Sequence, residues 1–235
     1  LLCPTPIIEA VEKRAKHGLY GYTVPSPALQ DAITAAATAA FGYDVGDVRF
    51  HPGLIAGLYH TARRADTGGV PEPVYPPFLN AARDCARLVA VPVDDLDALE
   101  KAVDEALGRV AILWCNPHNP TGRVWSRADL DRVASIVDAH SSKIQAVCSD
   151  EVWSGVDFDD FVSMGTVAKD WPSLRDRLIV LTSPSKTYNI ASLDFAFAVV
   201  PNPELRRKYR RAGRDQAECT PFGLAAAEAI FVGST

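Results

Sequence analysis

Short apolar runs recur along this chain, separated by stretches in which apolar residues return every three or four positions. Val110-Ala111-Ile112-Leu113-Trp114-Cys115 and Leu178-Ile179-Val180-Leu181 are continuous, Ile144-Gln145-Ala146-Val147-Cys148 is broken only by Gln145, and branched residues recur in all three. They are too short for helices and match strands buried on both faces. Residues 88–93 and 196–200 read as further strands, and 48–50 as a short one. Helical periodicity occupies residues 28–41, 96–107 and 204–212. Thr5-Pro6 opens a helix that Gly18 ends, and His51-Pro52-Gly53 breaks a strand into a helix over 54–64. Ser126 caps a helix running to 139, with Asp129 as the acidic partner of a capping-box start. Residues 65–72, with paired glycines and a proline, read as a loop. Strands alternating with helices predict an α/β doubly wound fold with a mostly parallel, mixed central sheet and helices on both faces.

Three of the buried strands each lead into a polar group. Asn119 lies in Asn116-Pro117-His118-Asn119-Pro120-Thr121-Gly122, where two Asn-Pro steps force extended or turn backbone. Asp150 follows the second strand in Ser149-Asp150-Glu151-Val152-Trp153, and Lys186 follows the third in Ser183-Pro184-Ser185-Lys186. In open α/β sheets the carboxyl edge of the strands is where ligands bind. A lysine partly desolvated there can lose its proton and attack a carbonyl to form a Schiff base. A lone Ser-x-Ser-Lys also describes a solvated loop, and Asp150 alone could be a cap or a salt-bridge partner. Gly53, Leu54 and Ile55, at a helix start, offer backbone N–H groups to an anion; the same residues also describe a plain turn.

Composition narrows the class. The net charge is −5, with 48% hydrophobic and 23% charged residues, an ordinary soluble balance. The basic run Arg206-Arg207-Lys208-Tyr209-Arg210-Arg211 therefore reads as a solvated helix face, and no nucleic-acid partner is expected. No run reaches the ~18 apolar residues of a membrane span, and no signal peptide is visible, so a cytoplasmic location is expected. Five scattered cysteines form no Cys-x-x-Cys pair, which points to reduced thiols and against a zinc site. Cys115 and Cys148 read as small core residues.

Taken in order, Asn-Pro-x-Asn-Pro-Thr-Gly, Ser-Asp-Glu-Val and Ser-x-Ser-Lys resemble the signature of fold-type I pyridoxal-phosphate enzymes of the aminotransferase class. The stretch from Cys115 to Trp125, with His17-Gly18-Leu19-Tyr20-Gly21-Tyr22 and Pro73-Val74-Tyr75-Pro76-Pro77-Phe78, resembles more narrowly the cystathionine β-lyase-like carbon–sulfur lyases of the MalY/PatB type. The resemblance spans nearly the whole chain. It implies pyridoxal 5′-phosphate held by Lys186, with Asp150 on the ring nitrogen, Asn119 on the phenolic oxygen and Tyr75 stacked on the ring. Gly53, Leu54, Ile55, Ser183 and Ser185 would hold the phosphate, with both serine hydroxyls as donors. It also implies a homodimer in which Tyr22 reaches the phosphate of the neighbouring subunit; the residue alone reads equally as a packing aromatic. The implied reaction is cleavage of a cysteine-conjugate or cystathionine C–S bond to thiol, pyruvate and ammonia. An aminotransferase or deaminating enzyme is the alternative, and a regulatory partner without turnover a third reading.

Three departures stand out. Ser192 and Asp194 occupy places where aminotransferases of this class commonly carry glycine and a phosphate-binding arginine, so Asp194 is expected to point away from the phosphate. Trp153 stands where relatives carry tyrosine or histidine. Relatives carry a strand where residues 65–72 read as a loop, so this chain reads as a few residues short there. Residues 1–22 are expected to belong to a small domain and dimer contact, and 23–235 to the large cofactor-binding domain, with the C-terminal small domain expected to be missing.

Overall fold

The computed structural model describes residues 2–63, 65–156, 160–214 and 217–233. Helix α1 (Thr5–His17) carries proline in its first turn and stops where Gly18 turns left-handed at φ 74°. Helix α2 (Pro27–Phe41) is capped by Ser26, whose hydroxyl oxygen accepts from the Leu29 N–H. Strand β1 (Arg49–His51) leads through Gly53, at φ 94°, into α3 (Leu54–Ala62). The expected end of that helix at Arg64 lies outside the described residues.

The loop expected over 65–72 is instead strand β2 (Thr67–Glu72). Its glycines conceal it from a propensity reading, but packing requires one of them. A Cβ on Gly68 would come within 2.9 Å of the Ala82 Cβ of α4 (Pro76–Arg83), so that helix could not lie as close. Pro71 falls beyond Gly69, the last residue paired with the neighbouring strand β4, where a missing N–H is tolerated. The expected shortfall here has therefore not cost the sheet its strand.

Next come β3 (Arg87–Pro92), α5 (Leu96–Glu105), β4 (Val110–Cys115) and α6 (Arg127–Ala139). The capping box at the start of α6 is complete, with Ser126 and Asp129 each accepting at 3.1 Å from the other's N–H. Strand β5 (Ile144–Asp150), the single turns α7 (Met164–Val167) and α8 (Pro172–Arg175), β6 (Leu178–Thr182), β7 (Ala196–Val199), α9 (Pro203–Ala212) and α10 (Pro221–Phe231) complete the order. α1 packs on α10, where Tyr20 meets Phe222 with ring centroids 5.6 Å apart.

The described strands form one sheet in the order β1-β7-β6-β5-β4-β2-β3. β3, β2, β4, β5 and β6 run parallel, while β7 is antiparallel to both β6 and β1. The expected mixed, mostly parallel sheet is what forms. Every residue of β4 is buried, and its side chains alternate between two cores. Val110, Ile112 and Trp114 join the larger core, with residues of α2, α5 and α6. Ala111, Leu113 and Cys115 join the smaller, beneath α3 and α4. Cys148 sits in that second core, as expected of a buried thiol.

Small residues let α3 press close to the sheet. A Cβ on Gly57 would lie 2.6 Å from Leu181 Cδ2 and 2.8 Å from the Tyr209 hydroxyl. Gly57→Ala is expected to destabilise the chain by about 1–3 kcal/mol through overpacking, read as a lower urea midpoint at unchanged slope.

Candidate functional site

Register brings three strand ends to one level. Cys115 of β4 stands opposite Asp150 of β5, and Asp150 opposite Leu181 of β6. β1 is antiparallel to β7 and β7 to β6, so β1 points with the parallel strands and its exit, Pro52-Gly53, reaches the same edge. A cavity of about 310 Å³ forms there, within the ~300–1,000 Å³ range of small-molecule sites. It is lined by Asn119, Asp150 and Lys186 from the parallel strands' exits, by Gly53, Leu54 and Ile55 from the start of α3, and by Tyr75, Ser183 and Ser185. Nine of the ten expected site residues thus meet in one place. Tyr22 does not: it is fully exposed and lies outside this cavity.

Asp150 is the buried acid of the site. It is 3% exposed, and its Oδ1 accepts the Val152 N–H at 3.0 Å. Burial pushes its carboxyl up to about 7, against the opposing pull of that N–H and of the Lys186 charge. A cation placed against it would restore the ionised form. Its exit is braced by β4, since the Asn116 N–H donates to the Asp150 carbonyl at 2.9 Å.

Glu151 is also buried and was not singled out from the sequence. Its Oε1 accepts from the Ser149 hydroxyl and the Met164 N–H, both at 2.9 Å, which ties the end of β5 to α7. Burial pushes it up to about 7 as well. The only trace in sequence is one acid following another; its place inside depends on α7, which no sequence pattern announced.

Asn119 is half-buried and is bonded to the adjoining wall: its backbone carbonyl accepts the Tyr75 N–H at 3.0 Å. The loop between them and β4 is closed by Gly122, at φ 72°, whose N–H donates to the His118 carbonyl at 2.7 Å. Backbone bonds therefore hold an amide and an aromatic ring on adjoining walls.

The structure corrects three expectations. Lys186 is exposed on the rim, not partly desolvated. The β6–β7 loop folds on itself through Tyr188 N–H to Pro184 O and Ile190 N–H to Ser185 O, both 3.0 Å, leaving the lysine on its outer side. Its Nζ lies 5.4 Å from the centre of the Trp153 ring, a cation–π distance. Trp153 thus contributes a ring face to the amine, although it cannot accept a hydrogen bond. Secondly, the Ser183 hydroxyl donates to the Phe195 carbonyl at 2.6 Å and accepts from the Ser185 N–H at 3.1 Å. Its single proton is committed inside the loop, so Ser183 shapes the wall and is not the donor expected of it. Thirdly, Asp194 lines the cavity instead of pointing away. Its backbone is left-handed at φ 53°, and that turn directs it towards the start of α3.

Among the described residues no group of three His, Cys, Asp or Glu side chains could hold a metal ion, and no helix is long and apolar enough to cross a membrane. An amine on the rim, a buried acid, an amide, an aromatic face and a helix start suit a flat aldehyde-bearing ring with a basic nitrogen and an anionic arm.

Comparison with known proteins agrees with this geometry. Cystathionine beta-lyase PatB of Bacillus subtilis is 30% identical over 226 residues, 88% of this chain and 56% of that protein. Protein MalY of Escherichia coli is 29% identical over 234 residues, 89% of this chain and 56% of that one. The chain thus spans a little over half the length of these relatives. A PLP-bound C–S lyase from Staphylococcus hominis superposes with a TM-score of 0.83 at 23% identity, covering 99% of this chain and 61% of that chain, and so shares the fold. The model of the aminotransferase class I and II family matches residues 2–231, and the chain belongs to that family.

Proposed function

We propose that this cavity binds pyridoxal 5′-phosphate and serves a β-lyase that cleaves the C–S bond of cysteine conjugates or cystathionine to a thiol, pyruvate and ammonia. The observation that carries the reading is the placing of Lys186 and buried Asp150 in one cavity by the register of β5 and β6. The names of the relatives PatB and the Staphylococcus hominis C–S lyase support it.

The residues fit the cofactor. A carboxylate as buried as Asp150 is stabilised by a proton held on a ring nitrogen beside it, and it keeps that proton in place. The Asn119 amide can donate to a phenolic oxygen, and Tyr75 presents a ring face. The N–H groups at the start of α3, with Ser185, suit the phosphate. Bound there, pyridoxal phosphate would supply an electron sink for the α-carbon of an amino acid. Lys186 would hold the aldehyde, and its free amine would take the α-proton of a bound amino acid as general base. Trp153 offers that side chain a ring face 5.4 Å from Nζ. The thiolate would leave the β-carbon with the C–S bonding pair and take up a proton, and water would hydrolyse the remaining three-carbon unit to pyruvate and ammonia.

Residues 23–235 would form the large cofactor-binding domain, and 1–22 a small-domain and dimer contact. Leu19, Tyr20, Tyr22 and Val24 are all exposed, which suits a homodimer in which Tyr22 serves the neighbouring site. A cytoplasmic setting agrees with the five unpaired cysteines.

Incubating the protein with S-methyl-cysteine and pyridoxal phosphate tests the reaction. The lyase reading expects thiol and pyruvate in equal amounts. The family match itself favours a second reading, an aminotransferase or deaminating enzyme, for which keto acid would form without free thiol.

A further inference from the structure

The end of the cavity nearest α3 carries two features of opposite electrical sense. Gly53, at φ 94°, precedes the helix, whose first N–H groups and dipole favour an anion. Asp194 already brings one. Its Oδ1 lies 3.7 Å from where a Cβ on Gly53 would stand, and both residues line the same cavity. The backbone that carries this carboxylate is fixed. Asp194 closes the 3₁₀ turn Ala191–Leu193 in a left-handed conformation, and the Leu193 carbonyl accepts the Thr220 hydroxyl at 3.0 Å.

Resting on the cofactor reading above, we infer that Asp194 is a specificity-determining residue for the cofactor. It is a resident anion at the start of α3 that weakens the hold on a phosphate ester but not on the same ring bearing an uncharged hydroxymethyl arm. A phosphate monoester carries about −1.5 to −2 charges at neutral pH. A like charge a few ångströms away, at an exposed site, costs it roughly tenfold in affinity. The chain should therefore discriminate less between pyridoxal 5′-phosphate and pyridoxal than its helix start alone would dictate.

The test is to titrate wild-type protein and Asp194→Asn separately with each aldehyde, following indole fluorescence, since Trp153 lines the cavity. Asparagine tolerates the left-handed backbone, and Asp194→Gly serves if it does not fold. Removal of the carboxylate is expected to tighten pyridoxal 5′-phosphate about tenfold and to leave pyridoxal within about twofold. Equal changes for both aldehydes, or none for the phosphate ester, would overturn the inference while leaving the cofactor reading intact. Absence of saturable binding of either aldehyde to wild-type protein would sink the cofactor reading, and the inference with it.

Discussion

Replacing Lys186 with alanine is expected to reduce thiol release by about four orders of magnitude or more, because it removes both the covalent anchor and the general base. Stability should hardly change. The lysine is exposed, and it meets the Trp153 ring at 5.4 Å. The loop that carries it is held by backbone bonds from Tyr188 and Ile190 and by the Ser183 hydroxyl. A surface truncation of this kind falls within about 0.5 kcal/mol. Lys186→Arg separates charge from chemistry, since a guanidinium keeps the cation but cannot shed its proton. It should be as inactive as the alanine variant. Substantial turnover by Lys186→Arg would show that the amine is only an electrostatic partner of the site.

Asp150→Asn is expected to lower turnover by about 10²-fold or more, since a neutral amide no longer holds a proton on the ring nitrogen. In the cofactor-free protein the same change alters how stability depends on pH. Burial raises the Asp150 carboxyl from 3.8 to about 7, so between those values the folded chain keeps a proton that the unfolded chain has lost. Stability then falls as pH rises through that window, and the loss is complete above about 7. Asparagine abolishes this slope. Measured by urea unfolding, the gain of the variant over wild type should grow from pH 4 to pH 7 by an amount on the order of a few kcal/mol. The cost of a second, unpaired amide group shifts the whole curve without tilting it. Glu151, raised to about 7 mainly by burial, adds its own slope to both proteins; the lesser part of its rise that comes from the Asp150 charge is lost in the variant. Saturating pyridoxal phosphate should reverse the difference, because ligand bound to the folded state stabilises wild type more. A difference that stays flat between pH 4 and 7 would mean that Asp150 is ionised throughout.

What could be read from the chain alone follows from where the physics is local. β4 and β6 announce themselves as apolar runs, and β5 as a run broken by Gln145, because both faces of each are largely buried. The capping box at Ser126 and the left-handed glycine at 18 are signals carried by single residues. β2 was missed because Gly68 owes its identity to Ala82 on another element, a constraint no window of sequence contains. The acid, amide and amine of the site were legible as strand exits, since register alone then brings them level. The exposure of Lys186, the committed proton of Ser183 and the inward turn of Asp194 were not. All three depend on how the β6–β7 loop folds back on itself, through bonds to Phe195 and through the 3₁₀ turn. Glu151 was hidden for a like reason, its partner Met164 lying 13 residues further along the chain.

The most direct measurement is to incubate the protein with pyridoxal 5′-phosphate, reduce with borohydride, digest, and locate the modified lysine by mass spectrometry. Reduced pyridoxyl phosphate concentrated on Lys186, and lost from there in Asp150→Ala, is the result expected of a ring held between that amine and that acid. Label spread over surface lysines such as Lys13 and Lys101, with Lys186 unmodified, would contradict it.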